Sequence, residues 1–153
     1  MNTKFKFLHE YDLFSGLDDE QMQAVMQVCR EECFIPNTVL FEEGQTAEAI
    51  FVLVEGRVEE SFTVDEAKMT LLRPVERGEI IGCPALTPPY KHSCTARSLD
   101  NIEVLAIDAV GLRELLSEDC QIARTIQQHV IEALLERIGK MRVASHLPWQ
   151  QTG

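Results

Sequence analysis

The spacing of apolar residues along this chain changes twice. Met22, Val25, Met26, Cys29 and Cys33 recur at intervals of three and four, one face of an amphipathic helix, which predicts a helix over residues 19–32. Ser15 or Asp18 supplies a side-chain acceptor for its first amides, and Glu20 favours the positive end of its dipole. From about residue 34 to 107 the helical period is lost. Short β-prone runs at 38–41, 49–54, 57–63, 68–75, 94–98 and 103–107 are separated by Gly, Pro and acidic residues, the punctuation of a barrel or sandwich of many short strands. In the second run Ile50, Val52 and Val54 alternate with Phe51 and Leu53; both sets are apolar, so this strand is expected deep in the core. Gly44 and Gly56 stand where turns need positive φ, and Asp65-Glu66-Ala67 reads as a hairpin tip.

After residue 108 the helical period returns. A short helix is expected over 109–116, then a long one over 118–141 with Ser117 as its cap. Ile122, Ile126, Val130, Leu134, Ile138 and Met141 form its stripe, widened by Ala123, Ile131, Ala133 and Leu135. So broad a stripe must bury against more than one surface. One is the barrel. The other is expected to be a second copy of the chain or a partner protein, with Ile122, Ile126, Val130 and Ala133 at a homodimer contact. Residues 143–153, with Pro148 and Trp149, read as a flexible tail. The expected fold is mainly β with flanking helices: a double-stranded β-helix or jelly-roll barrel at about 34–107, an N-terminal helix and a long C-terminal helix, in one domain over 1–142.

Composition narrows the partners. The 153 residues fit one domain. Lys and Arg number 14 against 25 Asp and Glu, a net charge of −11. A chain so acidic is a poor match for a phosphate backbone or an anionic lipid surface, so neither nucleic acid nor membrane is expected as a partner. No run approaches the ~18 apolar residues of a membrane span, and the charged and polar residues from His9 to Asp12 interrupt any signal-peptide core. A cytoplasmic location is expected. The five cysteines, Cys29, Cys33, Cys83, Cys94 and Cys120, are odd in number and scattered. That argues against a disulfide framework and for small buried hydrophobes. Cys29 and Cys33 would share a helix face, but no second pair lies near them to complete a metal site.

Three segments carry a resemblance. Val39-Leu40-Phe41-Glu42-Glu43-Gly44, then 49–58 ending in Glu55-Gly56-Arg57-Val58, then Gly78-Glu79-Ile80-Ile81-Gly82 resemble the cyclic nucleotide-binding domain of the catabolite activator protein and of the regulatory subunit of protein kinase A. The similarity covers about residues 14–138, and the ordered glycines 44, 56, 78 and 82 with their strand spacing make it specific. It implies a β-roll with a phosphate-binding cassette: a Gly turn, a short helix, then a strand bearing an Arg. Here Gly82 would let the backbone approach a ligand. Pro84 would open a one-turn helix, and the amides of Ala85 and Leu86 would favour an anion.

Two positions depart from the family pattern. Where the family has Phe-Gly-Glu, with the Glu accepting from a ribose hydroxyl, this chain has Ile81-Gly82-Cys83. Where the family Arg pairs with the cyclic phosphate, His92 stands, followed by Ser93 at the position that donates to a phosphate oxygen. A thiol is a weak acceptor, and a histidine is mostly neutral at pH 7. Two lost hydrogen bonds to charged groups amount to roughly 3–6 kcal/mol, or about 10²–10⁴ in affinity. Strand alternation puts Lys91, Ser93 and Thr95 on one face and His92, Cys94 and Ala96 on the other.

The expected function is a non-catalytic regulatory or sensor module with a cyclic nucleotide-type pocket of weak or altered ligand preference. Its ligand residues would be Ile81, Gly82, Cys83, Ala85, Leu86, His92 and Ser93. The alternative is a ligand-free structural or protein-interaction module with a vestigial pocket. No cofactor or metal is expected beyond the regulatory ligand itself. An enzyme is not expected, because Cys83 and His92 lack a third group to orient the base. A DNA-reading role is not expected either, since eleven residues after Arg142 do not hold a helix-turn-helix.

Overall fold

A computed structural model describes residues 11–64 and 69–152, with the side chains of 64, 69 and 142–152 left aside. The expected hairpin tip at Asp65-Glu66-Ala67 lies outside the described residues. Helix α1 spans Asp19–Met26. Asp18 caps it: its carboxylate accepts from the Gln21 amide at 2.8 Å, and the Gln21 side chain accepts from the Asp18 amide at 2.9 Å, a reciprocal capping box. Met22 and Val25 carry its buried face.

The helix does not continue to residue 32. Cys29–Phe34 is strand β1, paired antiparallel with β8 over six residues. The stripe 22, 25, 26, 29, 33 fits a helix locally, but six ladder pairs to a buried strand outweigh that local preference. Cys29 and Cys33 therefore sit on a strand, Cys29 buried and Cys33 exposed.

The remaining strands are β2 (Val39–Phe41), β3 (Ala49–Glu55), β4 (Val58–Val64), β5 (Met69–Val75), β6 (Ile80–Ile81), β7 (Thr95–Ser98) and β8 (Ile102–Asp108). They form two four-stranded antiparallel sheets, ordered β1-β8-β3-β6 and β2-β7-β4-β5. This is the mainly β roll with flanking helices that the pattern predicts. Six of the seven β3 residues are buried, as expected for a strand covered on both faces. The β3–β4 turn is glycine-dependent: Gly56 has φ +94°, and a Cβ there would lie 2.6 Å from the Asn101 carbonyl oxygen.

Helix α2 (Ala109–Glu118) is capped by Asp108, which accepts from the Gly111 amide at 2.8 Å. Helix α3 spans Cys120–Thr152. Asp119 caps it, accepting from the amides of Gln121 and Ile122 at 3.0 Å each. Ser117 does not: its hydroxyl donates back to the Glu114 carbonyl at 2.8 Å. The helical backbone runs past residue 142, through the stretch expected to be a flexible tail.

The β3–β8 sheet has a core on each face. Outside, Ile50, Val52, Val54, Leu105 and Ile107 pack with Phe14, Met22, Val25, Leu112, Ile122, Ile126 and Val130. Inside the roll, Ala49, Phe51, Leu53, Val104 and Ala106 pack with Phe41, Val58, Ile81, Cys94 and Ala96. The outer core takes up the residues expected at a dimer contact. Ile122, Ile126 and Val130 are buried within one chain, and Ala133 is half-buried against the same core. Among the described side chains of α3, the large apolar ones left exposed are Ile131, Leu135, Ile138 and Met141.

Candidate functional site

The glycine turn and the short helix expected of the cassette are both present. β6 ends at Ile81, and Gly82 turns the chain with φ +89°. A Cβ at Gly82 would lie 2.8 Å from the Ala49 carbonyl oxygen and 3.5 Å from Cε1 of His92, so both dihedral and space require glycine. Cys83–Leu86 then makes a one-turn 3-10 helix with Pro84 in its first two positions. Ile81, Gly82 and Ala85 are buried, and Cys83 and Leu86 are half-buried. The Ala85 amide is not open to an anion as expected, because it donates to the Gly82 carbonyl at 3.1 Å. A 3-10 turn closes its ring one residue earlier than an α-helix and so consumes that donor.

The segment leading into β7 alternates in exposure from Lys91 to Cys94. Lys91 and Ser93 are exposed, while His92, Cys94 and Ala96 point inward. His92 is fixed through its backbone, its amide donating to Gln45 at 2.9 Å and its carbonyl accepting from Gly44 at 2.8 Å. Its ring lies inside the roll, 5% exposed, stacked on Phe41 at 3.7 Å between centroids and 9° between planes. Nδ1 of His92 has no hydrogen-bond partner. Burial holds the imidazole pKa below its ordinary value, since desolvation disfavours the charged form. The group at the place of the family's phosphate-binding Arg is therefore a neutral, stacked ring. Of the seven predicted ligand residues, Ile81, Gly82, Ala85 and His92 are buried, Cys83 and Leu86 are half-buried, and Ser93 is exposed in the bend before β7.

The interior carries charges that the sequence reading passed over. Glu60 of β4 is 2% exposed. The Cys94 thiol donates to its Oε2 at 3.2 Å, and Arg73 Nε donates to its Oε1 at 2.9 Å. Arg73 reaches on to Glu79 Oε2 at 2.9 Å, and Arg137 of α3 lies 3.7 Å from the same oxygen. Burial works against the Arg73 charge, but the bonds from Glu79 and Glu60 outweigh it and raise its pKa. Arg113 of α2 donates to the Ala85 carbonyl at 2.7 Å and lies 4.1 Å over the Tyr90 ring. A signal for Glu60 was present: Val58, Glu60 and Phe62 share a strand face on which Glu60 alone is charged.

Neither interior thiol is activated. Burial pushes the Cys83 pKa up against the pull of Arg137. Burial, with the Glu60 charge beside it, pushes Cys94 far up. A thiol so held is a poor nucleophile. Among the described residues no three His, Cys, Asp or Glu side chains gather as a metal site, and no helix is long and apolar enough to cross a membrane.

The architecture is a two-sheet roll with a glycine turn and a short helix at one end of β6, closed by helices on one side. The family model of the cyclic nucleotide-binding domain matches residues 31–119, and the chain belongs to that family. A provisionally named potassium channel protein of Rhodopseudomonas palustris is 29% identical over 119 residues, which make up 77% of this chain and 28% of that protein. This chain thus spans less than a third of that relative's length. A provisionally named cyclic nucleotide-binding protein of Geobacter metallireducens superposes with a TM-score of 0.79 at 28% identity, covering 90% of this chain and 99% of that one. The regulatory domain of protein kinase A from Toxoplasma gondii, solved with cAMP, shares the fold with a TM-score of 0.62 at 20% identity, over 72% of this chain and 42% of that one.

Proposed function

We propose that this chain is a non-catalytic regulatory module whose cassette holds a cyclic nucleotide only weakly. The observation that carries the reading is His92. A buried, neutral ring stacked on Phe41 offers no positive charge to a cyclic phosphate, and Cys83 offers no carboxylate to a ribose. Arg73 and Arg137 are engaged with Glu60 and Glu79 and stand in for neither. Calorimetric titration with cAMP and cGMP tests this. The expected result is no binding tighter than about millimolar, with a gain of about a hundredfold or more in the Cys83→Glu, His92→Arg variant, the lower part of what two restored charged hydrogen bonds supply. Micromolar binding by the unaltered chain that weakens on His92→Ala would overturn the proposal.

A second reading, a protein-interaction module, is favoured by one feature. Ile131, Leu135 and Ile138 follow one another at four and three residues on α3 and are 56%, 62% and 48% exposed. This spacing forms a seam of the kind that pairs with another helix.

A further inference from the structure

Helix α3 is held to the roll in two ways along its length. Through Ile122, Ile126 and Val130 it is anchored in the outer core, with Ala133 and Leu134 packed alongside. Beyond Leu134, Arg137 reaches back: its Nη2 donates to the Ile80 carbonyl at 2.5 Å and lies 3.7 Å from Glu79. Lys140 adds an exposed ion pair with Glu76 at 3.7 Å, of a kind that contributes little. Ile80 is the first residue of β6, immediately before the cassette turn.

The Glu79 oxygen that faces Arg137 also accepts from Arg73. Arg73 in turn is bound to Glu60, whose other oxygen takes the Cys94 thiol inside the roll. One carboxylate oxygen is therefore shared by two guanidinium groups, one belonging to the interior and one to the helix.

We propose that Glu60, Arg73, Glu79 and Arg137 couple the interior of the roll to the second half of α3, so that a change at Glu60 alters how firmly residues 135–141 are held. Oε1 of Glu60 faces both Nε and Nη2 of Arg73, and Glu79 shares Nη2 with it. When the Glu60 carboxylate is lost or turned away, Arg73 is free to take both oxygens of Glu79, a bidentate geometry that guanidinium favours. Arg137 then loses its share of Glu79, and the helix beyond Leu134 keeps only the Ile80 contact from that side chain. The segment released carries Leu135 and Ile138, two of the three residues of the exposed seam. The coupling deepens the regulatory reading and rests on it for its purpose, but the geometry belongs to the chain without ligand.

Spatial continuity alone does not demonstrate coupling; a double-mutant cycle does. Amide hydrogen exchange is followed on the full chain without nucleotide. In Glu60→Gln, the amides of 135–141 are expected to exchange about tenfold faster, at the lower end of typical coupling strengths. Arg137→Met is expected to speed the same amides, and adding Glu60→Gln to it is expected to change nothing further. Amides of β3 and β8 report whether each variant keeps its fold. Should Glu60→Gln lose it, Glu60→Asp repeats the test by keeping the carboxylate while drawing it back from Arg73. Unchanged exchange over 135–141 in the folded variants, or fully additive effects, would overturn the proposal. Because no nucleotide is present, this outcome is independent of the calorimetric one, and either reading can fail alone.

Discussion

On the outer face of the β3–β8 sheet, Ile50, Val52, Leu105 and Ile107 meet Met22, Val25, Leu112, Ile122 and Ile126, apolar against apolar. On the inner face, Phe51, Leu53, Val104 and Ala106 share the roll with Cys94, and the buried polar side chains His92 and Glu60 lie in the same roll. The two faces teach different things. An apolar core gains free energy from burial alone, and its residues need only suitable size. A buried polar group costs free energy unless its partners are in place, so each one marks where the roll departs from the simplest way to fold. Glu60 is fully engaged, while His92 retains an orphan nitrogen. The outer face sets the architecture. The inner face carries what is particular to this chain.

The largest effect should come from breaking the outer core. Ile126→Asp places an unpaired charge at a buried position in the middle of the helical layer, and a loss of about 4–5 kcal/mol is expected. Against a total stability of roughly 5–15 kcal/mol, that is close to unfolding the chain. Urea titration measures it. A loss under about 1 kcal/mol, the range of a surface site, would mean that this face is not the core described. The variant reports on folding rather than on dimer formation, since the side chain faces its own roll.

The inner face gives a smaller effect with a sign. The folded-state pKa of His92 is depressed by burial, so as pH falls the unfolded chain takes up the proton first. His92 therefore contributes stability that is present above the unfolded value of about 6.5 and lost as pH falls below it. The limiting slope is about 1.4 kcal/mol per pH unit. His92→Phe keeps a flat ring on Phe41 and removes both the titration and the orphan nitrogen. It is expected to add about 1 kcal/mol at pH 8 and to abolish the part of the acid loss that His92 causes. Urea titrations at pH 8 and 5.5 compare the two chains; parallel losses would show that His92 is not buried as described.

Much of this contrast was legible in the residues. The doubled alternation of 49–54 predicted a strand with two covered faces, and the ordered glycines placed the cassette at Gly82. Alternation also put His92 and Ser93 on opposite faces, though not which of them faced inward. Other features depended on long-range pairing, which no local pattern carries. Residues 29–32 read as the end of a helix until β8 is present to pair with them. The stripe of α3 was broad enough to serve two surfaces, but its residues alone did not say which half met the roll. Ile122, Ile126 and Val130 took the inner position and left Ile131, Leu135 and Ile138 outside. The Ala85 amide looked free because the turn was read as the start of a helix rather than as a closed 3-10 ring.

The smallest effect on folding should come from that outer seam, and it carries the most information about partners. Leu135 is 62% exposed, so Leu135→Asp removes little burial within the chain and should change stability by no more than about 0.5 kcal/mol, as surface substitutions do. If Ile131, Leu135 and Ile138 pair with a second copy, the unaltered chain should sediment as a dimer and Leu135→Asp as a monomer, because a charge on each helix would meet its like across the seam. Equal masses for the two chains would end the self-pairing idea. A stability loss of several kcal/mol in the monomer would instead show Leu135 buried against its own roll, and the division between inner and outer halves of α3 would have to be redrawn.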